Sequence, residues 1–194
     1  NDSEVDAVYI PLPNHLHAEW TIKSAQAGKH VLCEKPIGMN AAEVRQMIEV
    51  RDKFGVKIQE AFMVRTHLTW LAVREIVKSG KIGDLQSITM FFSYANFDKS
   101  NIRNRLEMGG GALMDIGCYC INLSRFIFDE EPIRVSGLIE RDSQTNIDKL
   151  TSAMLQFPTG HATFTCSTQV VPYQKMQVLG TNGRIEIEIP VNFP

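Results

Sequence analysis

The order of apolar runs and helical segments at the start of the chain constrains its fold more than any other feature. Three short apolar runs alternate with two segments of helical pattern, which end at Gly28 and Gly55. Strands that alternate with helices in this way pair in parallel through right-handed crossovers. The sequence therefore predicts a partial Rossmann-like, doubly wound parallel sheet with strands at Val5–Ile10, His30–Cys33 and Val56–Phe62.

The pattern changes after residue 64. One further amphipathic helix ends at Gly80, and a long strand is predicted at Leu85–Tyr94, followed by a helix at Ala112–Phe128. Beyond Pro132 turn signals separate short alternating runs, as expected for hairpins. We therefore predict two units, α/β in residues 1–64 and α+β in residues 65–194. The second unit should have an open, mostly antiparallel sheet with helices on one face.

Composition excludes several classes of function. Of the 194 residues, 44% are hydrophobic and 22% are charged, and the net charge is −2. With no basic excess to neutralise phosphates, we expect no nucleic-acid partner. No apolar run approaches the ~20 residues that cross a bilayer and no signal-peptide pattern is present, so we expect no membrane association. The four cysteines lack zinc-ligand spacing, which favours reduced thiols in a cytoplasmic protein.

Two signatures, far apart in the chain, resemble those of the Gfo/Idh/MocA oxidoreductase family. They occur in that family's order, and the resemblance covers essentially the whole chain. The first signature is Tyr9-Ile10-Pro11-Leu12-Pro13-Asn14-His15-Leu16-His17 followed by Ala27-Gly28-Lys29-His30-Val31-Leu32-Cys33-Glu34-Lys35-Pro36, and the second is Gly109-Gly110-Gly111-Ala112-Leu113-Met114-Asp115-Ile116-Gly117-Cys118-Tyr119. Many relatives have histidine at the position of Tyr119. The tyrosine of this chain resembles the glucose–fructose oxidoreductase and dihydrodiol dehydrogenase branches of the family.

The resemblance implies a division of labour between the two units. Residues 1–64 would be the C-terminal part of a Rossmann-type domain that binds NAD or NADP. Residues 65–194 would be a substrate-binding and oligomerisation domain, incomplete at its C-terminus. No GxGxxG motif is present, and Gly109-Gly110-Gly111 is no substitute because it follows a loop. We therefore expect the start of the nucleotide-binding domain to be missing, together with the residue that distinguishes NAD from NADP.

Lys35 is the first catalytic candidate. In the family that this chain resembles, the lysine of the Glu-Lys-Pro motif, here Lys35, lies beside the nicotinamide and the reacting hydroxyl. A cation there stabilises the alkoxide-like charge that develops on oxygen, and a desolvated lysine can also accept a proton. From its position alone, Lys35 would be a surface lysine in a loop. With Glu34, Pro36 and the preceding strand, we interpret it as catalytic.

Tyr119 is the second catalytic candidate. The pKa of a free tyrosine, about 10, is too high for an effective base at neutral pH. We expect the Lys35 ammonium to lower the pKa of Tyr119, so that the pair could relay the alcohol proton. The alternative is a core tyrosine on an apolar helix. Asp115, one helical turn earlier, could orient Tyr119 or bind a substrate hydroxyl, or could simply stabilise the helix start.

The remaining assignments follow the carboxyl ends of the predicted parallel strands, where ligands bind in such sheets. For the cofactor we predict contacts from Pro13, Asn14, His17, Glu34, Lys35 and Pro36. For the substrate we predict contacts from Arg65, Arg103, Asp115 and Tyr119. His17 could equally be a histidine on a helix face, and Arg103 a solvated charge. No metal site is predicted.

Two functions stay open on this evidence. The resemblance implies an oxidoreductase that transfers a hydride between NAD or NADP and the CH–OH group of a sugar, polyol or trans-dihydrodiol. The alternative is a truncated, non-catalytic fragment whose antiparallel sheet serves only oligomerisation. In either case the resemblance implies a homodimer or higher homo-oligomer formed through that sheet. A metal-dependent hydrolase has little support, because His15 and His17 have no partner at ligand spacing.

Overall fold

The computed structural model describes residues 2–192, and the α/β unit at their start forms a three-stranded parallel sheet. Its elements are β1 (Ala7–Ile10), α1 (His17–Gln26), β2 (His30–Cys33), α2 (Ala41–Phe54) and β3 (Ile58–Glu60). The strand order is β1-β2-β3, so both crossovers step in the same direction and α1 packs against α2 on one face. The predicted Rossmann-like arrangement is confirmed.

The third strand is shorter than the predicted run Val56–Phe62. It pairs with β2 only from Ile58 to Glu60. Phe62 and Val64 leave the sheet and are buried in the hydrophobic core of the second unit. The first part of the apolar run therefore belongs to the parallel sheet and its end packs in the core of the second unit. For this reason the strand is shorter than the apolar run that predicted it.

The second unit is built on a six-stranded sheet. Its elements are α3 (Leu68–Lys78), β4 (Leu85–Ala95), α4 (Cys118–Phe128), β5 (Arg134–Arg141), β6 (Asp148–Gln156), β7 (His161–Ser167), β8 (Gln169–Gly180) and β9 (Arg184–Ile187). The order is β5-β6-β7-β4-β8-β9, and every neighbouring pair is antiparallel except β4 and β7. The predicted open, mostly antiparallel sheet is confirmed.

One face of this sheet carries the main core. Along β7, Ala162, Phe164 and Cys166 are buried beneath the helices, while Thr163 and Thr165 lie on the opposite, open face. Helices α3 and α4 supply the other half of this core, with Trp70 and Leu123 fully buried. The predicted placement of helices on one face is therefore correct. Within residues 2–192, no helix combines the length and apolarity needed to cross a membrane.

The helix predicted from Ala112 begins differently from an ordinary α-helix. Leu113–Gly117 form a π-helical turn, and α4 follows directly. The Asp148 carboxylate accepts a hydrogen bond from the Leu113 N–H at 2.6 Å and so satisfies a donor at the helix start. Wide turns of this kind are frequent at functional sites, and this one carries Asp115.

Gly111 is fixed in place by this arrangement. Its φ is +120°, a conformation that L side chains rarely adopt, and an added Cβ would overlap the Asp148 carboxylate. We expect Gly111→Ala to lower the free energy of unfolding of the full-length protein by roughly 2–5 kcal/mol, because it combines backbone strain with loss of the Asp148 hydrogen bonds. Urea denaturation would measure the change.

The matched control is Gly80→Ala. Gly80 also has a positive φ, +73°, but a Cβ there would meet nothing within 4 Å. We expect a smaller loss of about 1–2 kcal/mol, from backbone strain alone. Equal losses in the two variants would show that the contact with Asp148 is unimportant.

Candidate active site

A cleft of about 320 Å³ lies where the loops after β1 and β2 meet the segment that precedes α4. The carboxyl ends of parallel strands are the usual ligand sites of such sheets. Both resemblance signatures contribute to the cleft, although they are far apart in sequence. Its lining residues are Tyr9, Pro11, Leu12, Asn14, His17, Glu34, Lys35, Ile102, Arg103, Met108, Gly109, Gly110 and Asp115.

Lys35 crosses from the α/β unit to the second unit. Its Nζ donates to the backbone oxygen of Asp115 and lies 3.2 Å from Asp115 Oδ1. The Lys35 side chain is 14% exposed and the Asp115 side chain 12%, so the ion pair is largely shielded from water. An ammonium carries three N–H donors, and two are directed at Asp115. The third can be offered to a ligand in the cleft.

Asp115 is the centre of the polar contacts in the cleft. The Tyr94 hydroxyl donates to Asp115 Oδ2 at 2.5 Å, and Arg103 Nε lies 3.3 Å from Oδ1. Burial is the main cause that raises the pKa of Tyr94, and the adjacent Asp115 charge raises it further. Tyr94 is therefore a neutral donor that fixes the carboxylate. Both oxygens of Asp115 are held in place, one by Tyr94 and one by two cations.

Tyr119 lies beside Lys35 but is buried, at 8% exposure. Lys35 Nζ is 5.1 Å from the centre of its ring, and the ring of Phe62 packs edge-on at 5.3 Å. The expectation that Lys35 lowers the pKa of Tyr119 is wrong. Burial raises that pKa above its ordinary value, and negative charge at neighbouring residues, including Glu34 and Asp115, raises it further. The ammonium cannot offset this because its charge is already balanced by Asp115.

The wall of the cleft on the α/β side is formed by Asn14 and Glu34. Asn14 Nδ2 donates to the Gly109 carbonyl at 2.8 Å and so ties the loop after β1 to the glycine run. Glu34 accepts a hydrogen bond from the Tyr9 hydroxyl at 2.6 Å. Both side chains were predicted to face the cofactor, and both line the cleft.

Of the three remaining residues predicted to contact the cofactor, His17 lines the cleft and Pro13 and Pro36 lie in the loops next to it. The His17 side chain is fully buried, and its ring nitrogens lie 2.7 Å from the Pro36 carbonyl oxygen and 2.6 Å from that of Leu12. Pro36 is buried and follows a cis peptide bond with Lys35. Pro13 and Pro36 are not among the lining residues of the cleft within residues 2–192.

Arg65 lies away from the other predicted residues. Its guanidinium stacks on the ring of Phe126 at 4.9 Å, in a separate depression that it shares with Arg125 and Glu131. The position after a parallel strand suggested a cleft residue. The strand order places β3 beyond β2, however, so the chain after β3 runs along α4 and not into the cleft.

The sequence reasoning did not name two polar residues that hold groups of the site in place. Tyr94 lies near the carboxyl end of β4, in the other sheet, and no local signal in the sequence connects it with Asp115. Glu60 ends β3, and its Oε1 accepts from the Ile37 N–H at 2.8 Å, directly after the Lys35-Pro36 pair. In the described part of the chain, no group of three or more His, Cys, Asp or Glu side chains could hold a metal ion.

Two family models match the chain. The model of an oxidoreductase family with an NAD-binding Rossmann fold matches residues 1–62. The model of the GFO/IDH/MocA C-terminal domain matches residues 70–186. The two matches follow the division between the parallel sheet and the six-stranded sheet.

Individual proteins show the same similarity. An uncharacterized oxidoreductase of Rhizobium meliloti is 45% identical, over 98% of this chain and 58% of its own length. The crystal structure of an aldose-aldose oxidoreductase from Caulobacter crescentus, complexed with glycerol, superposes with a TM-score of 0.94 at 29% identity, covering 100% of this chain and 59% of that one. The chain thus spans little more than half the length of these proteins.

A 3-ketoreductase from Actinomadura kijaniata is also similar. Its crystal structure with NADP and TDP-benzene gives a TM-score of 0.91 at 28% identity, over 100% of this chain and 60% of that one. Solved variants of that enzyme include one with a lysine replaced by alanine and one with a tyrosine replaced by phenylalanine.

Proposed function

The chain belongs to the Gfo/Idh/MocA oxidoreductase family, and we propose that the full-length protein transfers a hydride between NAD or NADP and a small hydroxylated substrate. The reacting group would be a CH–OH or the corresponding carbonyl of a sugar, polyol or trans-dihydrodiol. The observation that carries the proposal is the shielded contact between Lys35 and Asp115 at the cleft, with one ammonium N–H left for a ligand.

The residues of the cleft suit the nicotinamide end of such a cofactor. The Glu34 carboxylate could accept hydrogen bonds from the ribose hydroxyls of the cofactor. The Asn14 amide could hydrogen-bond to the carboxamide of the nicotinamide. Pro13, His17 and Pro36 would shape the two loops that seat it. When bound, the cofactor would supply or take up the hydride.

Lys35 would act on the oxygen of the substrate. When a carbonyl is reduced, hydride adds to the carbon and negative charge develops on the oxygen until the oxygen receives a proton; oxidation of the alcohol is the reverse of this step. An ammonium held in place by Asp115 stabilises that charge without having to reorganise. Tyr119, neutral because it is buried, is suited to donate its proton when a carbonyl is reduced. Arg103 and Asp115 would bind further hydroxyls of the substrate.

The comparison with the Actinomadura 3-ketoreductase supports this pairing. The lysine and the tyrosine replaced in its solved variants are separated by the same number of positions as Lys35 and Tyr119. In this chain Lys35 lines the cleft, and its ammonium lies over the ring of the buried Tyr119. Equal spacing would be expected if the same two positions carry the proton chemistry in both proteins.

We expect the full-length protein to bind NAD or NADP and to reduce or oxidise the bound nicotinamide with at least one member of a panel of aldoses, polyols and trans-dihydrodiols. Cofactor binding would be measured by titration calorimetry and turnover by nicotinamide absorbance. A protein that binds neither NAD nor NADP would contradict the proposal and favour a non-catalytic role.

We further propose that the protein forms a homodimer or higher homo-oligomer through the open face of the six-stranded sheet. The face contains a shallow depression of about 670 Å³ and is only moderately polar. Leu138 is 80% exposed there and Met154 is 47% exposed, which is unusual for apolar side chains that have no partner to cover them. Two such faces could stack as sheets do in sandwich folds.

Met154→Glu should weaken this assembly. Burying an unpaired carboxylate in a stacked interface is unfavourable by several kcal/mol, so we expect the dimer dissociation constant to rise at least about tenfold. Sedimentation velocity across a concentration series would measure it. Met63→Glu is the control, because Met63 is 51% exposed but lies outside the open face. A wild-type protein that stays monomeric at high concentration would rule out the assembly.

We also propose a cytoplasmic location. All four cysteines are free thiols, and Cys33, Cys120 and Cys166 are buried. Proteins of oxidising compartments more often pair their cysteines as disulfides.

A further inference from the structure

One peptide group next to Lys35 is held from both sides. The carbonyl oxygen of Pro36 lies 2.7 Å from His17 Nδ1, and the N–H of Ile37 donates to Glu60 Oε1 at 2.8 Å. These two atoms belong to the same peptide group, and in a trans peptide they point in opposite directions. His17 and Glu60 therefore hydrogen-bond to the Pro36–Ile37 peptide group from opposite sides.

His17 also holds a second loop. Its Nε2 lies 2.6 Å from the carbonyl oxygen of Leu12, in the segment after β1, whereas Pro36 follows β2. Glu60 ends β3. The contacts of His17 and Glu60 therefore connect the carboxyl ends of all three parallel strands at the edge where the cleft lies. Leu12 and Lys35, on the two loops joined by His17, both line the cleft.

Both partners of the His17 ring nitrogens are carbonyl oxygens, which only accept hydrogen bonds. A neutral imidazole has one N–H, so one ring nitrogen would present a lone pair to an oxygen lone pair at hydrogen-bond distance. An imidazolium has two N–H donors and satisfies both contacts. The side chain is fully buried, so its charge needs a counter-charge nearby.

Glu60 is placed to supply that counter-charge. Burial raises the pKa of Glu60, but the hydrogen bond from Ile37 and the positive charges of Arg125, Arg65 and His17 oppose the rise. His17 and Glu60 thus lie on either side of one polar peptide group, which can transmit their attraction through its two hydrogen bonds.

We propose that His17, as a doubly protonated imidazolium, and Glu60 are positioning residues that fix the Pro36–Ile37 peptide and so hold the Lys35 ammonium against Asp115. The need for such support is physical. A lysine side chain has many rotamers and must be fixed in one of them, and a displacement of about 1 Å at a reacting group can reduce a rate by about 100-fold. This inference rests on the proposed role of Lys35.

The first test is spectroscopic and does not depend on activity. In the full-length protein labelled with ¹⁵N, the His17 ring signals are assigned as those lost in His17→Gln. We expect both ring nitrogens to be protonated at neutral pH, and we expect Glu60→Gln to shift the ring toward the neutral form, because the amide still accepts from Ile37 but carries no charge. A neutral His17 ring in the wild-type protein would overturn the proposal.

The second test is kinetic. His17→Gln should lower kcat by about 10- to 100-fold, whereas His15→Gln, an exposed histidine two positions away, should leave it unchanged. In a Lys35→Ala background, His17→Gln should add little further loss, because it acts through Lys35. Thermal unfolding of each variant checks that it folds. Equal losses in both backgrounds would overturn the positioning role. Absence of any wild-type turnover would refute the proposed function and leave the spectroscopic result to stand alone.

Discussion

Replacing Lys35 by alanine in the full-length protein should slow hydride transfer by about 10²–10⁴-fold, the range for general acid–base groups. Cofactor affinity should change far less. The Lys35 ammonium acts on charge that develops at the substrate oxygen in the transition state and is absent from the resting complex. Single-turnover kinetics with a deuterated substrate would measure the hydride step, and calorimetric titration would measure the affinity for NAD or NADP.

The matched control is Lys23→Ala. Lys23 lies on α1 with a side chain that is 56% exposed, and it pairs with Glu19 one helical turn away. We expect its loss to leave turnover unchanged, since exposed pairs contribute little even to stability. If Lys35→Ala weakened cofactor binding as much as it slowed hydride transfer, Lys35 would be a binding residue and not a catalytic one.

The α/β part of the site was predictable because its residues obey a local rule. Asn14 and Glu34 follow two neighbouring parallel strands, and the carboxyl ends of such strands meet at one edge. Asp115 was named from the second signature and from its spacing to Tyr119. Its contact with Lys35 spans 80 positions of the sequence and depends on how the two units pack, which no periodicity reveals.

The positions of Arg65 and Tyr94 could not be predicted from the local sequence pattern. Arg65 also follows a parallel strand, but β3 lies beyond β2 in the sheet and its exit leads toward Phe126. Tyr94 lies near the end of β4 in the other sheet, and only the three-dimensional packing brings it to Asp115. A boundary between residues 64 and 65 stays a prediction; Phe62 and Val64 already belong to the core of the second unit.

The direction of the pKa shift at Tyr119 could not be predicted from sequence, because it depends on two opposing effects. A neighbouring ammonium favours the phenolate, and burial disfavours it. The family resemblance predicts that Lys35 and Tyr119 belong to one site, but the sequence does not show that Phe62 and Phe92 enclose the ring or that Asp115 offsets the ammonium. Burial prevails, and the tyrosine is protonated at neutral pH.

Tyr119→Phe should lower the rate of carbonyl reduction in the full-length protein by about 10²-fold or more, because it removes a proton donor and retains the ring. The stability of the fold should not decrease. Tyr119 packs on aromatic rings and the Lys35 ammonium, and no group within residues 2–192 hydrogen-bonds its hydroxyl. Deleting a hydroxyl that has no hydrogen-bond partner among residues 2–192 should leave the thermal unfolding temperature unchanged or higher. Turnover and calorimetric unfolding would measure the two effects.

Two further measurements examine Tyr119: a pH profile tests whether the phenol stays protonated, and a double variant tests whether Tyr119 serves the same proton transfer as Lys35. Burial raises the pKa of Tyr119 above its ordinary value of about 10, so the phenol stays protonated throughout a profile of rate against pH between about pH 6 and pH 9. The profile of Tyr119→Phe should therefore keep its shape while the rate falls. The double variant with Lys35→Ala should be only slightly slower than the slower single variant, because the effects of groups that serve one proton transfer are not additive.

Tyr173→Phe, on the open face of the sheet and 49% exposed, is the control for loss of a phenolic hydroxyl and should change neither rate nor profile. If Tyr119→Phe behaved like this control, Tyr119 would be a core residue, and the proton transfer would rest on Lys35 alone.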